Sequence, residues 1–431
     1  MHIHVPQGRL HPESPSGACR RTEDVACRAM RLARIAVAVL LVALLAAGCG
    51  RGSKDDGTND GRPATTPTTG AKGTETTAAQ DLGFPTFATK NTTRIGGADP
   101  IADAAAAARA VYTGGSRITR PQAVVLADDS DWRVGLAASV LMSAPIRAPL
   151  LFAHGAGKLP PATQNALAAL APTGSKDAGG AQVIRVGNVP ELEGTKTTDL
   201  RGDGAFALAR AIDAFQAAAH GTTSDRVVVV GADAPAYAMP AAAWAAKAGD
   251  PILFANRDGI PEDTRAAIAA HQQPKIYVLG PASAVGEKAM AQLKKLGSVT
   301  RITGATPAAS SVAFARFVDG AFGWGVVDPG HGFVFADTKR PGDAAAAAPL
   351  SASGTYGPLL VTDDAAKLPT ALSGYLLDVQ PGYTRDPVRG VYNHGWIIGD
   401  EGAFSTAVQS QIDALLEIVP VNERASGTPT P

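Results

Sequence analysis

The chain has 431 residues, with 39 Lys+Arg against 39 Asp+Glu, 45% hydrophobic and 5% aromatic residues. Such a length and apolar fraction supply cores for two to three ordinary domains. Zero net charge argues against a generic nucleic-acid binder, which carries a basic excess, and 18% charged residues among so many apolar ones argue against an acidic disordered chain.

Residues 35–47, IAVAVLLVALLAA, form a run of 13 apolar residues preceded by Arg28, Arg31 and Arg34. A bilayer span takes about 20 such residues, so this run predicts the short apolar region of a signal peptide over residues 1–48. Met30 would start a signal of ordinary length, which allows residues 1–29 to be an over-called start. The run ends Leu45-Ala46-Ala47-Gly48-Cys49, which resembles the lipobox of bacterial lipoproteins. The resemblance implies a lipid (palmitate) on Cys49 and an anchor on the outer face of the cytoplasmic membrane. Cys19, Cys27 and Cys49 are the only cysteines, so the rest of the chain has no disulfide framework and no thiolate metal site. After Cys49, residues 50–91 are rich in Gly, Thr, Pro and scattered charge. They bury too little apolar surface to offset ordering entropy and predict a tether. The polar tail 421–431 is read the same way.

Between tether and tail one pattern is written three times. Arg94-Ile95-Gly96-Gly97 opens an Ala-rich helix reaching Arg109. Arg301-Ile302-Thr303-Gly304 opens one reaching Arg316. Lys196-Thr197-Thr198-Asp199, followed by Arg210, is a degenerate middle copy. Apolar strands follow at 123–128 (AVVLAD), 227–232 (VVVVGA) and 332–337 (GFVFAD), each leading into a small-residue helix. Second strands at 149–152, 251–254 and 358–361 precede helices with proline near their first turn. Last strands end at Gly187, Gly280 and Gly399. Short continuous apolar strands alternating with helices predict parallel sheets covered on both faces. The expected fold is α/β: three tandem parallel-sheet layer sandwiches, at residues 92–194, 195–298 and 299–420. The Ala and Gly of the helices after each first strand permit close packing either on the sheet or between units.

This order of landmarks resembles the cell wall-binding repeat 2 family, over about residues 92–420. The matching pieces are the Arg-Ile-x-Gly opening, the apolar strand, the Ala-rich helix, the Pro-Leu-Leu strand and the Gly280-Pro281-Ala282-Ser283-Ala284-Val285 ending. The resemblance implies three modules about a pseudo-threefold axis that hold an envelope protein non-covalently to anionic wall polymer. The chain departs from the family at Asp99-Pro100 and Thr306-Pro307, where a second arginine is expected. The family's Asp at the helix start survives only as Asp343.

If the role is polymer binding, the recurring cations Arg94, Lys196 and Arg301, with Arg109, Arg210 and Arg316, are the candidates, because guanidinium pairs bidentately with phosphate or carboxylate. The structural alternative is that each pairs with carboxylates of its own unit or caps helix carbonyls. Residues 92–420 hold 27 basic and 30 acidic residues, a net charge of −3, so attraction to a polyanion needs a local patch. Asp128, Asp129 and Asp131 follow a strand end, where a cation site or a solvated turn would sit; the turn is the expectation. His331 and His394 share the third repeat. No metal site and no cofactor is predicted, and repetition favours multivalent binding over catalysis. The expected partners are wall polymer and, through the lipid, the membrane, without nucleic acid. Two other readings stay open: an enzyme or small-ligand receptor reusing the fold, marked by a deep pocket with unrepeated polar groups, and a protein-binding scaffold marked by an apolar patch.

Overall fold

The computed structural model describes residues 86–421 apart from residue 355. The expected signal peptide, Cys49 and most of the tether therefore lie outside the described residues. Strands β1 (Thr86–Ala88) and β2 (Thr92–Ile95) lead into helix α1 (Pro100–Val111). The first unit follows with β3 (Val124–Asp128), α2 (Trp132–Ala138), β4 (Leu150–Ala153), α3 (Pro161–Leu170) and β5 (Val183–Val186). Strand β6 (Thr197–Leu200) and helix α4 (Gly204–His220) lead to the second unit. That unit is β7 (Arg226–Gly231), α5 (Pro235–Ala238), α6 (Pro240–Ala248), β8 (Ile252–Ala255), α7 (Glu262–Ala270), β9 (Lys275–Leu279) and α8 (Glu287–Leu293). Strand β10 (Ser298–Ile302) and helix α9 (Pro307–Arg316) enter the third. It comprises β11 (Gly332–Asp337), α10 (Gly342–Ser351), β12 (Leu359–Thr362), α11 (Thr370–Asp378), β13 (Gly382–Tyr383), β14 (His394–Ile398), α12 (Thr406–Leu416) and β15 (Val419–Pro420).

Three sheets result, in the orders β4-β3-β5-β6, β8-β7-β9-β10 and β12-β11-β14-β2-β1; β13 pairs with β15 apart from them. Every pairing within the three sheets is parallel except β1 with β2. The expected α/β fold with parallel sheets is what forms. The apolar runs fill the central strands, each buried on both faces: β3 reads VVLAD and β11 reads GFVFAD, with every residue buried.

The opening strands do not stay with the repeats they begin. β6 completes the first sheet and β10 the second, while β2 crosses the chain to pair with β14 of the third. Each unit therefore takes its fourth strand from the start of the next repeat, and the last takes it from the first. The helix after each borrowed strand then packs on the following unit: α1 on β4 and α3, α4 on β8 and α7, α9 on β12 and α11. The result is a closed ring of three units with pseudo-threefold symmetry.

The departures at Asp99-Pro100 and Thr306-Pro307 have a local explanation. Asp99 Oδ1 accepts from the Ala102 amide at 2.8 Å and Thr306 Oγ1 from the Ala309 amide at 3.1 Å. Proline follows each cap at the first helical position, where its missing N–H costs nothing. These pairs start two of the three linking helices, α1 and α9.

The Ala-rich helices answer the question left open by composition. α2 with its 3-10 extension Ser139–Met142, α6 and α10 pack on one another at the ring's centre as well as on their own sheets. Gly135 shows both demands at once. A Cβ there would lie 2.7 Å from the Phe152 ring of its own unit and 3.3 Å from Ala345 Cβ of the third. Gly135→Val should lower stability by about 1–3 kcal/mol, the usual range for overpacking a core. Denaturant unfolding checks this, and an unchanged midpoint would show that the centre is loosely packed.

Candidate functional site

Arg94, Arg301, Arg210 and Arg316 are held by partners within the ring, and Lys196 lies out of register with its supposed equivalents. Arg94 is buried. Its Nε donates to Gln409 Oε1 at 3.0 Å, Nη1 to the Gly399 and Asp400 carbonyls at 3.0 and 2.7 Å, and Nη2 to the Phe404 carbonyl at 2.7 Å. Arg301 repeats this in the second sheet, Nη1 to the Gly280 carbonyl at 2.9 Å and Nη2 to the Val285 carbonyl at 2.7 Å. Both guanidiniums thus clamp the loop after the last strand of the sheet their strand completes. The glycine starting that loop has φ +107 at Gly280 and +98 at Gly399, a backbone region other residues avoid.

The middle copy differs. Register pairs Leu200 with Val186, as Ile302 pairs with Leu279 and Ile95 with Ile398. The residue matching Arg94 and Arg301 is therefore Asp199, and Lys196 lies three residues earlier, exposed. The arginine has moved across the ladder. Arg185, paired in register with Asp199, bonds both of its carboxylate oxygens at 3.1 Å and donates to the Val189 carbonyl at 2.9 Å. One charge-assisted clamp per sheet is kept with its polarity reversed. Arg185 was not among the sequence candidates; its place inside an otherwise apolar strand, VIRV, was the available signal.

The other three lie on the linking helices. Arg109 ends α1, partly buried. Arg210 on α4 reaches Asp263 of α7 at 3.4 Å with 53% of its side chain exposed. Arg316 ends α9, pairs with Asp378 of α11, and lies 5.0 Å over the Tyr375 ring with 39% exposed. Counted from the glycines that match in register, Gly97, Gly202 and Gly304, the place of Arg109 and Arg316 falls on Ala214. Arg210 stands one turn earlier on the same helix face.

The acidic group resolves into turns. Asp128 Oδ1 accepts from the Ser130 amide and Asp337 Oδ1 from the Lys339 amide, each at 3.0 Å. Asp131 caps α2 and pairs with Arg133 at 2.8 Å. Asp129 lies 2.8 Å from His154 Nδ1, and this bond raises the imidazole pKa. Among the described residues no three or more His, Cys, Asp or Glu are grouped to hold a metal. His331 and His394 do meet, the His394 amide donating to the His331 carbonyl at 3.0 Å. The His394 ring stacks edge-on against Trp396, and burial lowers its pKa.

A second cluster is a carboxylate pair at the ring's closing seam. Asp103 of α1 and Asp343 of α10 are both fully buried and share Arg340. Asp103 also accepts from the Gly97 amide. Arg340 Nε sits 2.8 Å from Asp343 Oδ2, at an angle outside that of a hydrogen bond, and Nη1 is 3.4 Å from Asp400. Desolvation, then the Asp343 charge, pushes Asp103 up to about 9 against the pull of Arg340. Desolvation raises Asp343 to about 6. At neutral pH the pair therefore keeps one proton, and Arg340 balances the remaining charge.

Three α/β units joined in a ring by borrowed strands, each with an arginine clamp at its sheet's carboxyl end, define the class of protein by fold. Cwp8 from Clostridium difficile shares this fold at a TM-score of 0.58 and 17% identity, over 76% of this chain and 52% of that one. Cwp6 from Clostridium difficile matches at 0.62 and 17% identity, over 78% and 51%. The chain thus spans about half the length of each. Over 143 residues, 33% of this chain and 27% of the relative, it is 29% identical to N-acetylmuramoyl-L-alanine amidase LytC of Bacillus subtilis (strain 168). No family model matches the chain.

Proposed function

We propose that this chain is an envelope protein, lipid-anchored at Cys49, whose three-unit ring binds an anionic wall polymer non-covalently. The observation that carries this reading is the 143-residue stretch shared with a protein named for cleaving the N-acetylmuramoyl-L-alanine linkage. Because the chain covers 27% of that amidase, what is shared is taken to be attachment to the wall, not the amidase reaction. A ring that presents similar surfaces three times suits binding, since weak contacts to one polymer multiply in avidity.

Arg94 and Arg301 are spent on loop carbonyls and are left out of the polymer contact. Arg109, Arg210 and Arg316, on helices that alternate with the units around the ring, are assigned to it. With 27 basic against 30 acidic residues over 92–420, the attraction is local and screened by salt.

Sedimentation of the full chain with wall sacculi, before and after stripping of the anionic polymers, tests the reading. Binding is expected at low salt, weakening as salt rises, and lost after stripping. Arg210→Glu with Arg316→Glu should weaken it at least about tenfold, since two attractions to the polyanion become repulsions, together about 1.4 kcal/mol or more. No co-sedimentation with intact sacculi would reject wall binding.

A further inference from the structure

On the ring's axis, the C-terminal ends of the central helices α6 and α10, with the segment after the 3-10 turn that extends α2, enclose a cavity of about 370 Å³. Tyr112, Ser143, Arg147, Lys247, Pro349 and Ser353 are among its walls, and no carboxylate lines it. A second cavity of about 360 Å³ shares Ser143, Ala144 and Lys247 with it but is lined also by Asp213, Asp225 and Asp250, which disfavour an anion there. These walls come from all three units, yet the residues are unrepeated: neither Lys247 nor Arg147 has a cationic counterpart on the other central helices.

Lys247 stands between the two cavities in an aromatic cage. Its ammonium lies 5.1 Å from the Trp244 and Trp324 ring centres and 4.6 Å from that of Tyr356. Among the described residues it has no carboxylate or hydrogen-bond partner, in contrast to the Arg94 and Arg301 clamps. The Arg147 guanidinium likewise has no acid partner there; the Arg147 carbonyl accepts from Tyr112 Oη at 2.9 Å. Acceptors are also present. The last carbonyls of a helix have no intrahelical partner, and Ala246 and Lys247 sit in the last turn of α6 on the cavity wall. At the edge of the second cavity Gln216 is nearly fully buried. Its Nε2 is bonded to Ser143 Oγ and the Ala144 carbonyl, while its Oε1 has no partner.

The wall chemistry selects a ligand. Helix C-termini repel an anion with nothing else to offer, and two cations repel a purely cationic one. A sugar acid satisfies both: its hydroxyls donate to the carbonyls at the end of α6, and its carboxylate meets Lys247 and Arg147. The Tyr112 ring on the wall offers an apolar flank to a pyranose face, and the volume lies within the usual range for small-ligand sites. We propose that the axis cavity binds one carboxylated pyranose per chain, either as a free monosaccharide or as the end of an acidic glycan.

Calorimetric titration of the full chain tests this with galacturonic acid, digalacturonate, galactose and inorganic phosphate. Galacturonic acid is expected to bind 1:1, with galactose at least about tenfold weaker. Digalacturonate binding more tightly than the monomer would identify a chain end as the ligand. Equal affinity would identify the free sugar. Lys247→Met should lower the affinity at least about tenfold, and Lys247→Arg should restore most of it. The unfolding midpoint of each variant, measured alongside, separates lost binding from lost fold. The proposal is overturned by no heat from either uronate at millimolar concentration, by galactose or phosphate binding as well as galacturonate, by a stoichiometry of three, or by a folded Lys247→Met chain that binds normally. The sacculus assay on the same chain keeps the two readings apart. Uronate binding without co-sedimentation rejects the wall reading alone, and the reverse rejects the axis site alone.

Discussion

Arg340→Met is expected to destabilise the chain by about 3–5 kcal/mol near pH 8, the cost of stranding a buried charge by removing its partner. The guanidinium serves Asp103, Asp343 and Asp400, and donates to the Gly97 carbonyl at 3.2 Å. It bridges α1, α10 and the loop after β14 at the seam where the ring closes. The other charge felt by the pair is Asp337, which raises Asp343 further. The pH dependence follows from the direction of the shifts. Both carboxyls have folded pKa values above the ordinary 3.8, about 6 for Asp343 and about 9 for Asp103, so the folded state holds more protons than the unfolded chain. Their contribution to stability is fully present below pH 4 and is lost as pH rises through 6 and then 9. Without Arg340 both values climb further. The penalty should therefore shrink below pH 5, where both carboxyls are protonated, and grow above pH 8. Asp103→Asn, which keeps the neutral partner of the pair, should flatten the alkaline side of the profile. Urea unfolding from pH 4 to 9 measures both variants. A penalty for Arg340→Met that does not change with pH would show that the arginine acts through packing alone.

Deleting residues 86–111 should abolish cooperative folding, whereas moving them to the other end of the chain should not. The segment carries β2, which lies between β1 and β14, and α1, which packs on the first and third units. Its removal opens the third sheet and leaves the Gly399, Asp400 and Phe404 carbonyls without the Arg94 guanidinium. It also strips the apolar surface covered by Ala104–Ala108, losses that exceed the ~5–15 kcal/mol by which domains are normally stable. The ends of the described chain are close together. Lys90 reaches Glu417 at 2.5 Å and the Asn91 amide reaches Asp413 at 2.7 Å. A permutant starting at Gly115, with residues 86–114 joined after Val421 through a short Gly-Ser linker, restores every borrowed strand. Circular dichroism and thermal unfolding should give a native spectrum and a midpoint within about 4 °C of the parent, the most that about 1 kcal/mol produces in a folded body of this size. A cooperatively folding deletion would refute ring closure as a requirement.

The sequence carried the central strands because residues buried on both faces must be apolar along their whole length, as in β3, β7 and β11. It carried the glycines that end the last strands, because few other residues tolerate that backbone, and the Pro that starts five of the helices, because its fixed φ suits the first helical position. The edge strand β6 was legible only in outline. Thr197-Thr198-Asp199-Leu200 has one buried residue, so nothing in its pattern fixes which residue stands opposite Arg185, and Lys196 looks like the better match to Arg94. The arginines were legible as a repeat but not as clamps, because the carbonyls that hold Arg94 lie more than 300 residues away in sequence.

The sequence by itself thus determined three α/β units and their order, since burial and backbone geometry act residue by residue. Which unit owns each fourth strand, how the Asp103–Arg340–Asp343 seam closes the ring, and where Lys247 meets Trp324 and Tyr356 were decided only by tertiary structure. Those are pairings between distant segments. A borrowed strand has the same sequence as one that stays at home, and a charge takes its partner, or goes without, only once the segments have met.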